Sequence, residues 1–157
     1  MDAHRRALVK ATFDRLRPIP KGLGLLFYGR LFQLDPSLRP LFSENLENQA
    51  AMFATAVNVA VLGLVEDGFV PPSIHALGAR HAGYGVTEPF FDTFRDAFLW
   101  TLEQHLGALF TPEVRAAWRE AYETLAAAMK QSAAAAREAK AAGKSGGPAP
   151  AGFAAPA

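Results

Sequence analysis

The stretch Ile74-His-Ala-Leu77-Gly-Ala-Arg-His81-Ala-Gly-Tyr84-Gly-Val86 decides how the chain is read. Ile74, Leu77, Gly78 and His81 stand at i, i+3, i+4 and i+7, the spacing of one helix face. An imidazole therefore sits on an apolar stripe near the end of a short helix and points into a core. His75 falls on another side. Pro71-Pro72-Ser73 opens the helix, with proline in its first turn, and Gly83 and Gly85 mark a corner behind it. A histidine in this position has two readings. In one it is a core residue whose ring bonds a backbone carbonyl. In the other, one ring nitrogen holds a metal while the second donates to a carbonyl one turn back, that of Leu77 for instance, which fixes the tautomer. The stripe alone favours the first.

Outward from this helix the chain divides at its turn residues into further helical pieces, with no convincing run of alternating strand residues. Before it, one helix runs from about Ala3 to Leu16, ended by Pro18 and Pro20. A second runs from Lys21 to about Leu34. Asp35-Pro36 caps and opens a short helix to Leu41. After the polar link Ser43 to Glu47, an apolar helix extends from about Asn48 to Glu66 and is closed by Asp67-Gly68. After the corner, Thr87-Glu88-Pro89 caps a long helix to about Leu106. Thr111-Pro112-Glu113 caps a last one that runs past Lys130. The expectation is an all-α fold of about seven helices of very unequal length, unlike the four equal segments of an up-down bundle. Residues 1–135 form the domain, and 136–157 form an Ala/Gly/Pro-rich tail whose last part is disordered.

Composition removes several classes of function. The 157 residues suit one domain, half of them are apolar, and the formal net charge is +1. There is no basic footprint of a nucleic-acid binder. The absence of cysteine removes disulfides, thiolate metal sites and cysteine nucleophiles, and suits a cytoplasmic protein. The apolar run Ala50–Leu64 is shorter than the roughly 20 residues of a membrane span. His4, His75, His81 and His105 lack zinc-like spacing. Gly22-Leu-Gly24 has neither the third glycine nor the preceding strand of a dinucleotide loop.

Two more polar residues stand on apolar faces. Gln49 heads the stripe Phe53, Ala56, Val57, Ala60 and Leu64. Tyr28 is the polar member of Gly24, Leu25, Leu31 and Phe32. Each is unremarkable alone, as a tyrosine with its hydroxyl at the core edge or a glutamine at a helix start. Phe90, Phe91, Phe94 and Phe98 read most simply as core, although a core stripe and the wall of a flat cofactor look alike in sequence.

Three segments carry a resemblance. Gly24-Leu-Leu-Phe-Tyr28-Gly-Arg-Leu-Phe-Gln-Leu-Asp-Pro36-Ser-Leu-Arg-Pro-Leu-Phe42 resembles the start of bacterial single-domain globins and of the globin half of flavohaemoglobins. Leu77 to Val86 resembles their proximal stretch. Thr111-Pro-Glu-Val-Arg-Ala-Ala-Trp118-Arg-Glu-Ala-Tyr122 resembles their last helix. The likeness covers about residues 5 to 130 and implies a globin fold around a haem pocket, with haem b as cofactor. It implies His81 as proximal iron ligand, Phe42 packed on the haem face, and Tyr28 and Gln49 as the distal pair, with Phe53 and Val57 flooring the distal pocket. It implies Leu77, Arg80, Tyr84, Val86, Phe91 and Phe94 on the proximal side or haem edge, and Gly24 against Ala50 where two helices cross.

The resemblance also has departures. Flavohaemoglobins carry a tyrosine and a glutamate around the proximal histidine, and here those positions are Phe91 and, at or near it, Ala133. Less electron density should reach the iron, which disfavours peroxidase-like chemistry. No reductase half follows Lys130, so redox turnover would need a separate reductase. The function the resemblance implies is reversible O2 binding for storage, delivery or scavenging at a five-coordinate haem, with NO and CO as further ligands. The alternatives are a nitric-oxide dioxygenase served by a separate donor, and a gas sensor, for which the short tail offers no output domain.

Overall fold

The computed structural model describes residues 1–17, 19–81 and 86–143. Among them every regular element is helical. The α-helices are α1 (Ala3–Leu16), α2 (Lys21–Leu34), α3 (Leu46–Leu62), α4 (Pro72–His81), α5 (Glu88–Leu106) and α6 (Pro112–Ala141). Their starts follow from local chemistry. Asp2 accepts from the Arg5 amide, Asn45 from Asn48 and Thr111 from Val114, which satisfies amide donors that lack a helical acceptor. Asp35 does the same for a 3₁₀ helix, Pro36–Leu41, through the Ser37 amide.

Two boundaries differ from the sequence reading. α3 starts at Leu46 because Asn45, inside the supposed polar link, is its cap. Its α-helical part ends at Leu62 and widens into a π turn, Gly63–Asp67, closed by Gly68 at φ 74°. A Cβ on Gly63 would stand 2.3 Å from Pro71 Cγ, so this turn is shaped by the start of α4, a contact invisible in local sequence. Leu46–Asp67 has the length and composition to cross a bilayer, but half of its apolar window is buried in the fold, as expected for a core helix. α6 runs through residue 135 to Ala141.

Close helix crossings set the architecture. At α2 and α3, a Cβ on Gly24 would lie 2.8 Å from Ala50 Cβ, so the small pair foreseen in sequence is what lets the helices touch. At α4 and α6, a Cβ on Gly78 would lie 2.6 Å from both Cα and O of Met129. α4 therefore rides directly on the α6 backbone, with His81 one turn further along.

α1 is fixed to α6 by a buried polar contact. Trp118, 1% exposed, donates its indole N–H to Thr12 Oγ1 at 2.8 Å. Replacing Thr12 with valine keeps the shape and removes the acceptor. An unsatisfied buried donor costs about 1–3 kcal/mol, which in a domain of this size lowers Tm by roughly 2–4 °C per kcal/mol. Thermal unfolding of Thr12→Val should show that loss, and an unchanged Tm would mean the bond contributes nothing.

Candidate functional site

α3, α4, α5 and α6 enclose an apolar cavity. Its empty space is about 750 Å³ when the open solvent at its mouth is counted. α4 contributes Leu77 and His81, α3 contributes Phe53 and Val57, and α5 contributes Phe91 and Phe94. These six sequence candidates meet at one wall-to-wall space. Tyr84 lies outside the described residues. Phe98, Trp118, Tyr122 and Met129 also line the cavity. Phe98 belongs to the aromatic stripe that sequence could not tell from a cofactor's wall, and Trp118, Tyr122 and Met129 were given no role there, because an apolar helix face looks the same whether it meets a neighbour or a void.

His81 is 2% exposed, and its Nδ1 donates to Leu77 O at 2.7 Å. That bond fixes the tautomer and makes Nε2 the ring nitrogen that could ligate a metal. Burial pulls the imidazole pKa down to about 4, against the Leu77 bond that raises it, and Arg80 lowers it further. The ring is thus neutral at neutral pH, as metal ligation requires. Among the described residues no group of three or more His, Asp or Glu could chelate a bare ion. One neutral imidazole on the wall of a large apolar cavity suits a metal that brings its other ligands with it. The donor set therefore fits haem.

The same shift links stability to pH in the haem-free chain. The unfolded state takes up the His81 proton near the ordinary 6.5 and the folded state only near 4. Stability from this residue is complete above the higher value and is lost as pH falls through the window to the lower one. At about 1.4 kcal/mol per pKa unit the loss amounts to about 3 kcal/mol. Urea unfolding of the apo chain at pH 7 and pH 4 should show a drop of that order that His81→Leu abolishes. An equal drop in both would show that other groups are responsible.

The remaining candidates lie beside the cavity instead of on its lining. Tyr28 and Gln49 are fully buried and Phe42 is 1% exposed. The Tyr28 ring meets Phe42 edge-on at 5.3 Å and Phe53 at 5.8 Å, so Phe53 joins this cluster to the cavity. Burial raises the Tyr28 pKa well above its ordinary value, keeping the hydroxyl protonated as a donor. Gln49 Oε1 accepts from the Ser43 backbone N–H at 3.3 Å. Arg80 is half-buried. Val86 is buried, and its carbonyl accepts from Arg137 of α6 at 3.3 Å. Ala133 is buried and carries no carboxylate. The Tyr122 hydroxyl donates to the Phe91 carbonyl at 2.7 Å.

Known proteins resemble the chain over most of its length. The Globin family model matches residues 25–129. The chain is 33% identical over 142 residues to anaerobic nitrite reductase AHB2 of Arabidopsis thaliana, covering 80% of this chain and 89% of that protein. It is 32% identical over 141 residues to leghemoglobin 3 of Sesbania rostrata, covering 81% and 94%. It is 28% identical over 132 residues to anaerobic nitrite reductase NSHB5 of Oryza sativa subsp. japonica, covering 79% and 90%. With its helical architecture and a family match spanning most of its length, the chain belongs to the globin family.

Proposed function

We propose that this globin holds haem b through His81 and binds O2 reversibly, with Tyr28 and Gln49 as hydrogen-bond donors in the distal pocket. The observation that carries the reading is the buried, neutral His81 imidazole, its Nδ1 bonded to Leu77 O, on the wall of the apolar cavity. Haem would supply an iron atom able to bind a diatomic gas. Leu77 O keeps the ring in one tautomer and orientation. The apolar walls from Phe53, Phe91 and Phe94 exclude water and favour the porphyrin's flat faces. That iron would also lend electron density to O2, giving the gas partial negative charge. The Tyr28 hydroxyl and the Gln49 amide can each donate to it, at about 1 kcal/mol net per bond, so the pair raises O2 affinity about ten- to a hundredfold.

The Tyr28/Gln49 pair is the feature shared with bacterial single-domain globins, and we read the chain as that type, working in the cytoplasm, although the relatives reported above are plant proteins. Their names favour a second reading. Two are called anaerobic nitrite reductases, so a redox reaction on a small nitrogen oxide, or nitric-oxide dioxygenation, is the competing function, in each case with a separate electron donor. Phe91 and the buried Ala133 offer no charge to His81, which weighs against fast turnover. The two readings separate in one experiment. The haem-loaded protein is given a reductase, and NO or nitrite consumption is followed. Consumption that stops after one equivalent supports O2 binding as the function, and sustained turnover overturns it.

A further inference from the structure

Gln49 can donate to a ligand only if its amide is turned the right way. The Ser43 backbone N–H meets the side chain at Oε1, 3.3 Å away. A backbone N–H can only donate, so the amide end facing it is the oxygen, and the NH2 lies at the other end. Ser43 belongs to the corner between the 3₁₀ helix and α3. The carbonyls of that corner turn back towards Arg39. Nη1 of Arg39 donates to Phe42 O at 3.3 Å and Ser43 O at 3.1 Å, and Nη2 donates to Glu44 O at 3.4 Å. The guanidinium carbon sits 5.3 Å from the centre of the Phe32 ring. A planar fork of several donors can hold consecutive carbonyls, which a lysine ammonium cannot do in one geometry. Locally, Ser43 Oγ accepts from the Asn45 amide at 3.2 Å, which ties the same corner to the cap of α3.

We propose that Arg39 is a positioning residue for the distal pocket. By holding the Phe42–Glu44 corner it keeps the Ser43 N–H on Gln49 Oε1, and so leaves the NH2 as the end of the amide that can donate to an electron-rich diatomic ligand. The inference rests on the role of Gln49 proposed above. Without Arg39 the corner shifts and the amide can rotate, and its oxygen end repels a partially negative ligand. Discrimination between O2 and the less polar CO then depends on a residue that does not touch either gas.

The test uses the full haem-loaded chain with Arg39→Met, which keeps the apolar stem, Arg39→Lys, and Gln49→Leu in parallel. Stopped-flow release of O2 and CO is measured, together with the infrared C–O stretching band of the CO-treated protein, which reports the field at the ligand. Arg39→Met is expected to speed O2 release about three- to tenfold, the loss of roughly one net hydrogen bond. CO release should change much less, and the C–O band should move to higher wavenumber. Arg39→Lys should fall between wild type and Arg39→Met, and it supplies the same readouts if Arg39→Met does not fold. A fall in Tm with O2 release and the C–O band unchanged would show a purely structural role and overturn the proposal. If Gln49→Leu speeds O2 release and neither Arg39 variant does, the inference alone is wrong. If Gln49→Leu also leaves release unchanged, the role of Gln49 and this inference fall together.

Discussion

Tyr28→Phe should release O2 about ten times faster than the wild type, or more, while CO release changes by a much smaller factor. The Tyr28 ring is fully buried, with Phe27 at 5.0 Å, Phe42 at 5.3 Å and Phe53 at 5.8 Å. Phenylalanine preserves those aromatic contacts and removes only the hydroxyl, so packing is not the variable. A hydrogen bond to a partially charged acceptor is worth about 1.5 kcal/mol or more in a dry site, and about 1.4 kcal/mol is tenfold in rate or equilibrium. CO carries less negative charge and loses less. Stopped-flow displacement of O2 by CO, and of CO by NO, gives both rates. Equal acceleration of the two gases would mean that the substitution widened the pocket instead of removing a donor.

Gly78→Val should damage the protein more than any other single-residue change at a helix crossing. A Cβ at Gly78 would meet Met129 Cα and O at 2.6 Å, and backbone atoms of a long helix cannot swing aside as a side-chain tip can. α4 must lift away from α6, and His81, three residues on, moves with it. Overpacking of a tight core costs about 1–3 kcal/mol, and two further methyl groups place valine at or above the upper end. The expected Tm loss is about 6–12 °C at roughly 2–4 °C per kcal/mol, together with weaker hemin uptake. Gly29→Ala is the matched control, since a Cβ there meets nothing within 4 Å and φ is not positive. It should leave stability unchanged or raise it by up to about 1 kcal/mol. If Gly78→Val unfolds no earlier than the wild type, the close approach of α4 and α6 is not what positions His81.

The contrast between these two glycines shows which parts of the fold were legible in sequence. The alternation of caps and prolines located most helix ends, because Asp35-Pro36 and Thr111-Pro112 act within one turn of the chain, while Thr87 stands at the start of α5 without a side-chain capping bond and Pro89 marks its first turn. Asn45 was passed over because it lay in a run of polar residues, any of which could have been the cap. The π turn at Gly63 depends on Pro71, and no local pattern announces a tertiary contact. The His81 stripe was readable because burial repeats with the helix, and its Nδ1 bond to Leu77 followed from geometry one turn back. Trp118, Tyr122 and Met129 were not recognisable as cavity wall, since a helix face carries no mark of what lies opposite. Arg39 was not recognisable either, because its partners are backbone carbonyls that every residue possesses.

The most direct measurement is the absorption spectrum of purified wild type and His81→Ala in ferric, ferrous and CO-treated forms, before and after addition of hemin. The wild type should take up hemin stoichiometrically and give the spectrum of an iron held by one imidazole, and the alanine variant should lose that coordination signature. A wild type that stays colourless in the presence of hemin, or a His81→Ala spectrum indistinguishable from the parent, would contradict the assignment of His81 as the residue that holds the iron.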